Sequence, residues 1–348
     1  MAAHYVGCTR RGWALANEAV LITRDLRLQR GEGLAEINAM QAEYCKRAFW
    51  ILHLTQMHDS FISPTPHMLP GFPPRNTDWA VMRPRDILEY ELSQENLVSG
   101  TRLGTSESTV TGFVSLAKVG QCMRNILATE EYRPCLTSLS PHFASLGLPP
   151  LRYDIGNTLS RPSFSRRLAV SRDISTQFHA TTEGLPYQDS FETFSDGIEV
   201  TVATVQISAL YFTNAIIDAI FDSSDSYRGE VVDLAIEAHD SGRLPGGLDD
   251  KIELWRIRES IALRLLAILK TTSPLRLQLN GFSLIHQIRK IAASLLDCGE
   301  DPELASVLDG RPEEYLREFT QILASLDLNA AVSAMLHKRY ADDTSHSF

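Results

Sequence analysis

The chain has 348 residues, 44% hydrophobic and 22% charged, an ordinary globular balance with length enough for a large core in one big domain or two small ones. Its net charge of −10 and pI of about 5.5 give no electrostatic footprint of a nucleic-acid binder, whose affinity comes mostly from neutralising phosphates. Five widely spaced cysteines (Cys8, Cys45, Cys122, Cys135 and Cys298) form no CxxC pair, which argues against a disulfide framework or a zinc site and fits reduced, intracellular thiols. The first residues lack the long apolar run of a secretory signal. No window of about 18 apolar residues free of charge is found, so no membrane span is expected.

Residues 1–12 are a short lead-in. A helix follows over Trp13 to Leu28, with Leu15, Ala19, Ile22 and Leu26 at the spacing that puts them on one helix face. Gly31 and Gly33 stop it. A second helix, from Glu43 to about Phe61, is apolar around most of its circumference through Phe49, Trp50, Ile51, Leu52 and Leu54, and is read as central and buried. Within it Cys45 is expected to be a small core residue. Pro64, Pro66, Pro70, Pro73 and Pro74 then break the helix. The span 62–109 is read as a proline-rich, polar connector with one helical turn near Pro84 to Leu92.

Helical periodicity returns over Val110 to Glu130 through Phe113, Leu116, Val119, Cys122 or Met123, and Ile126. Prolines interrupt 131–190, where the spacing predicts one helix over Ser163 to Phe178. Ile198 to Phe221 carries a stripe of Ile198, Val202, Val205, Ala209, Phe212, Ile216 and Ile220. Its β-branched residues suit a strand, but length and period favour a helix. A short helix is expected at Gly229 to Ala238. Asp250-x-x-Glu253 has the form of a helix cap, and the following helix runs to about Lys270 with Ile252, Trp255, Ala262, Leu266 and Leu269 inward. Glu253, Arg256, Arg258, Glu259 and Arg264 are expected to face solvent. Gly281 to Asp297 follows, with Ile285, Ile288, Ala292 and Leu295 or Leu296 inward. Pro312 then sits in the first turn of a helix carrying Tyr315, Phe319, Ile322 and Leu326. The tail 329–348 is polar and expected to fray. Arg10-Arg11, Arg166-Arg167 and Arg289-Lys290 are read as solvated faces or helix ends.

Glu18-Ala19-Val20, the Leu26-x-Leu28-x-Arg30 ending, Glu43, Lys46-Arg47, Phe49-Trp50 and Thr55 together resemble the two-helix signature of the fungal-specific transcription factor domain, the regulatory region of fungal binuclear zinc-cluster factors. Two departures are Gln29-Arg30 for the usual His-Arg pair and Gln56-Met57 for the charged pair after the threonine. The segments Gly281 to Asp297 and Glu314 to Leu323 resemble the C-terminal part of the maltose- and sucrose-utilisation activators and of regulators in fungal metabolite clusters. In these families the helix corresponding to Ile198–Phe221 carries tryptophans, which this chain lacks there.

The resemblance implies an all-α, irregular multi-helix regulatory domain over 13–328: signature helices at 13–61, the proline-rich segment at 62–109 crossing the helical core, and a helical remainder at 110–328. It further implies location in the nucleus and control of a metabolic or secondary-metabolite gene set. Partners would be a homodimer copy, a full-length zinc-cluster factor or a coregulator, with a small-molecule effector as a further candidate. The family's six-cysteine cluster and basic linker are not in this sequence, so no DNA-binding residue is assigned. The expectation is a naturally short member, a fragment or a truncated gene model.

No motif for catalysis is found: no GxSxG elbow, no GxxxxGK[ST] loop, no GxGxxG turn and no HExxH pair. His53 and His58 are five apart, off a shared helical face, and are read as partly buried helix residues. His4 and Cys8 lie in the lead-in. Cys298 is expected at a helix end, where a thiolate is not favoured, and the neighbours His58-Asp59 and His239-Asp240 point in different directions. No catalytic residue, no metal ligand and no cofactor is therefore assigned, and the chain is not expected to be an enzyme. Two alternatives are a helical enzyme acting on a hydrophobic metabolite and a truncated product without function.

Overall fold

The computed structural model of the chain describes residues 9–62, 72–74, 76–85, 109–139, 162–183, 185, 196–221, 247–274, 277, 281–296, 302–308 and 310–326. Among the described residues the fold is all-α, with no strand. The chain divides into two compact units. One is Met1–Leu185 with Ala215–Gly229, and the other is Pro186–Asn214 with Glu230–Phe348. Residues 1–8 of the lead-in, Pro64, Pro66 and Pro70, the expected helix at Gly229 to Ala238 and the tail lie outside the described residues, whereas residues 9–12 of the lead-in are helical.

The first unit begins with α1 (Thr9–Asp25), the short α2 (Glu32–Ala35) and α3 (Ala39–Ile62). Its core gathers Val20, Leu28, Leu34, Phe49, Trp50, Leu54, Phe72, Met82 and Ala117. The buried face of α1 is not the one that carries the larger apolar stripe. Val20 and Thr23 are buried, with Ala16 packed beside them, whereas Leu15, Ile22 and Leu26 stand about half exposed, at 54%, 52% and 47%. The Thr23 hydroxyl tolerates burial by donating to the Val20 carbonyl at 2.8 Å.

The helix ends at Asp25, ahead of the two glycines. The glycines build the turn that follows. Arg27 (φ 47°) and Gly31 (φ 74°) are both left-handed. A Cβ on Gly33 would stand 1.6 Å from the Leu26 carbonyl oxygen, so only glycine fits there.

Helix α4 (Thr109–Ala128) and helix α5 (Phe164–Thr182) complete the unit's long elements. As the spacing predicts, Val119, Met123 and Ile126 are buried on α4. Ser163 caps α5 by accepting from the Arg166 amide at 3.3 Å. Gly120 lets α4 approach α3 closely: a Cβ there would lie 2.8 Å from Leu54 Cδ2 and 3.4 Å from the Trp50 ring.

Helix α6 (Asp196–Phe221) contributes residues to both units. Its last turn belongs to the first, where two side chains satisfy carbonyls that no helical amide reaches. Ser138 Oγ donates to the Ala219 carbonyl at 2.6 Å, and Arg167 donates to that of Ile220 at 3.3 Å. Arg167 is therefore buried rather than solvated, correcting the expectation for Arg166-Arg167. Its guanidinium lies 5.2 Å and 5.0 Å from the ring centres of Phe164 and Phe221, and a cation at a helix C-terminus also suits the helix dipole.

The second unit holds the first part of α6, then α7 (Leu248–Thr271), α8 (Gly281–Ala293), α9 (Pro302–Leu308) and α10 over 311–326. The expected stripe of α6 is buried through Val202, Val205, Ala209 and Phe212, but from Ile207 to Asn214 every residue is buried, polar ones included. Thr213 closes its hydroxyl on the Ala209 carbonyl at 2.8 Å. The stretch Val200–Phe221 is long and apolar enough to cross a membrane, contrary to the expectation that no such stretch exists, and 72% of its most apolar window is buried inside the protein.

Helix α7 starts two residues before the expected cap. Gly247 occupies the cap position, and Asp249 and Asp250 fall in the first turn, where carboxylates suit the dipole. Arg258 is a second correction: it is buried, and it donates to the Ser294 carbonyl at 2.8 Å. Ser294 in turn donates to the Asn214 side-chain oxygen at 2.9 Å, so a polar line runs through this core. The expected exposure holds for Arg256. Glu259 is largely covered, accepting from Arg311 at 3.2 Å and from the Tyr315 hydroxyl at 2.9 Å, while Trp255 stacks on Tyr315 at 6.4 Å between ring centres. Leu295 rather than Leu296 is the buried member of its pair.

Candidate functional site

The site is built on α3, in the first unit. Glu43, Arg47, Phe49, Trp50 and His53 follow one another along it, and all of them except Arg47 are fully buried. The Glu43 carboxylate lies 3.5 Å from Arg47 Nε and accepts the Arg85 amide at 2.7 Å. Trp50 donates its indole N–H to the Met82 carbonyl at 2.8 Å, and Phe72 packs on Phe49 with ring centres 5.0 Å apart. Phe72–Arg85 is thus a strap tied to the helix at three points. This revises the polar connector expected there: a described turn stands at Trp79–Met82. The Asp78 carboxylate caps that turn, accepting from the Ala80 and Val81 amides at 3.1 Å each. Residues 86–92, where a turn was expected, lie outside the described residues.

The turn presents Trp79 to a slot bounded by four groups. Its ring centre is 4.8 Å from that of His53, 5.5 Å from that of Trp50 and 6.0 Å from that of Phe49. On another side the Arg124 guanidinium carbon, from α4, lies 4.4 Å from the same ring centre.

His53 is the unusual member. It is wholly buried, and neither ring nitrogen has a hydrogen-bond partner among the described residues. Burial first, and the nearby Arg124 charge second, lower its pKa to about 3, so the imidazole is neutral at physiological pH. It offers one donor and one acceptor, both unused. Arg124 is half-buried, its Nε makes no hydrogen bond, and no carboxylate pairs with it among the described residues. Burial lowers its pKa as well.

The sequence reading placed His53 on a helix and partly buried. The structure buries it completely and separates it from His58, which is half-buried on another face. Cys45 is half-buried at the edge of the α3 core, and burial raises its thiol pKa. No group of three His, Cys, Asp or Glu side chains placed to hold a metal occurs among the described residues. His4, Cys8, His239-Asp240, Asp297 and Cys298 lie outside the described residues. Trp79 and Arg124 were not singled out from sequence. Two signals were available: Asp78 as a turn cap directly before a tryptophan, and an arginine between Met123 and Ile126 of a core stripe.

No family model, no curated protein and no solved structure matches this chain.

Proposed function

We propose that the chain is a regulatory helical module of a fungal transcription regulator that acts on a metabolic or secondary-metabolite gene set. In this reading it works in the nucleus through protein partners (a second copy, a full-length zinc-cluster factor or a coregulator), carries no catalytic centre and does not itself read DNA. One observation supports the reading above the others. The residues that carry the resemblance, Glu43, Arg47, Phe49 and Trp50, converge on one task, holding the Phe72–Arg85 strap against α3. The resemblance implies a proline-rich segment that follows this helix and lies across the helical core, and the strap supports that reading.

The test is a fusion of the full chain to a heterologous DNA-binding domain in a fungal host carrying the matching reporter. A several-fold change in reporter output, in either direction, is expected. An unchanged reporter, with the fusion present in the nucleus and bound at its site, argues against the reading. The purified chain is expected not to retard double-stranded DNA at physiological salt, because its charge of −10 opposes phosphate contact. Sequence-specific retardation overturns that part.

A further inference from the structure

The slot around Trp79 combines features that a plain core does not need. The half-buried Arg124 guanidinium has no carboxylate partner among the described residues, and a desolvated charge is costly until an opposite charge reaches it. Next to it stands a wholly buried imidazole whose two nitrogens have no partner among the described residues, in a position where buried polar atoms are nearly always hydrogen-bonded. Phe49 and Trp50 meet the ring edge-on, at interplanar angles of 70° and 63°, and His53 lies tilted against it at 50°. The occupant is itself a flat ring, the indole of Trp79, half-buried and carried by a turn outside the helices. It fills the space and stacks under Arg124, but it supplies neither an anion nor a hydrogen-bond partner for His53.

We propose that Trp79 is a resident plug in the binding slot of a small planar carboxylic acid that also bears a hydroxyl or carbonyl group. The ring of the acid replaces the indole between Arg124 and His53. Its carboxylate pairs with the Arg124 guanidinium in the forked geometry that arginine favours. Its second polar group meets one nitrogen of His53. Binding then requires the plug-out conformer. If that conformer makes up between about 0.1 and 10% of the free chain, the apparent affinity is about ten- to a thousand-fold below the intrinsic one. As an effector site this rests on the regulatory reading above; as a binding site it does not.

The probe is 2-hydroxybenzoate, with 2-hydroxybenzyl alcohol as the uncharged analogue of the same ring and hydroxyl. Titration into the full chain by calorimetry is expected to saturate for the acid, and Trp79→Ala is expected to tighten it by about tenfold or more. Arg124→Met and the uncharged analogue are each expected to weaken it by about ten- to a hundred-fold. Circular dichroism melts establish that each variant folds. Should a variant fail to fold, the ring-nitrogen resonances of His53 in the unaltered chain decide: they move on saturation if the slot is the site. Binding that ignores Arg124→Met, resonances that stay put, or no binding to a folded Trp79→Ala chain at millimolar probe overturns the proposal. Failure here leaves the reporter assay of the regulatory reading intact, and failure of that assay leaves the binding measurement standing.

Discussion

Replacing His53 with phenylalanine is expected to make the protein more stable and less sensitive to acid. The parent buries two ring nitrogens without partners, and a buried unsatisfied polar group costs about 1–3 kcal/mol. Phenylalanine removes both and keeps a flat ring against Trp50 and Trp79, though its slightly larger ring offsets part of the gain by crowding of about 1 kcal/mol. A net gain of about 1–2 kcal/mol at pH 7.5 follows. The acid limb has a definite sign. The folded-state pKa of about 3 is below the ordinary 6.5, so the unfolded chain binds the extra proton first as pH falls. The parent therefore holds its full stability above pH 6.5 and loses it progressively toward pH 3. From this residue alone the loss is about 2 kcal/mol by pH 5 and on the order of 5 kcal/mol at pH 3. Urea unfolding followed by tryptophan fluorescence, at pH 7.5 and pH 5, measures both effects, and comparing parent with variant cancels the other titrating groups. A variant that loses as much stability as the parent between the two pH values would refute the neutral, buried imidazole.

Two glycines separate a backbone clash from a side-chain one. Gly33→Ala is expected to cost at least about 2 kcal/mol, since its Cβ meets the Leu26 carbonyl oxygen, while Gly120→Ala meets a movable Leu54 methyl and regains about 1 kcal/mol of helix propensity, leaving it near neutral. Thermal melts of the two variants side by side test the contrast. Trp50→Phe removes the bond to the Met82 carbonyl and is expected to cost about 1–2 kcal/mol, with amide hydrogen exchange accelerating across 76–85 before the rest of the unit. Arg258→Ala withdraws a buried cation from the Ser294 carbonyl and is expected to destabilise the second unit by about 3 kcal/mol. A loss below 1 kcal/mol would show that the polar line through Asn214 and Ser294 is not cooperative.

The helices were legible because long apolar periodicity is a local signal. The Val119, Met123, Ile126 stripe and the α6 stripe both sit where spacing put them. What was not legible depended on partners distant in sequence. Periodicity marked one apolar face on α1, Leu15, Ala19, Ile22 and Leu26, and packing buried Ala16, Val20 and Thr23 instead. Arg167 and Arg258 read as surface charges because their acceptors, the carbonyls of Ile220 and Ser294, are 53 and 36 residues away. The short α9 passed unread, although Pro302 stands at its first turn. His53 was visible as a helix residue, but its slot was not. Trp79 and Arg124 come from separate stretches, and neither is unusual until they share one ring face.

The rejected face of α1 has a consequence for how the protein behaves in bulk solution. Leu15, Ile22 and Leu26 form a greasy ridge on a molecule that carries ten excess negative charges. At low ionic strength mutual repulsion holds copies apart; at about 0.5 M salt the screening length shrinks to roughly 4 Å and the ridges can meet. Salting-out should therefore begin early for a chain this acidic, and Leu15→Glu with Ile22→Lys should postpone it without touching the core.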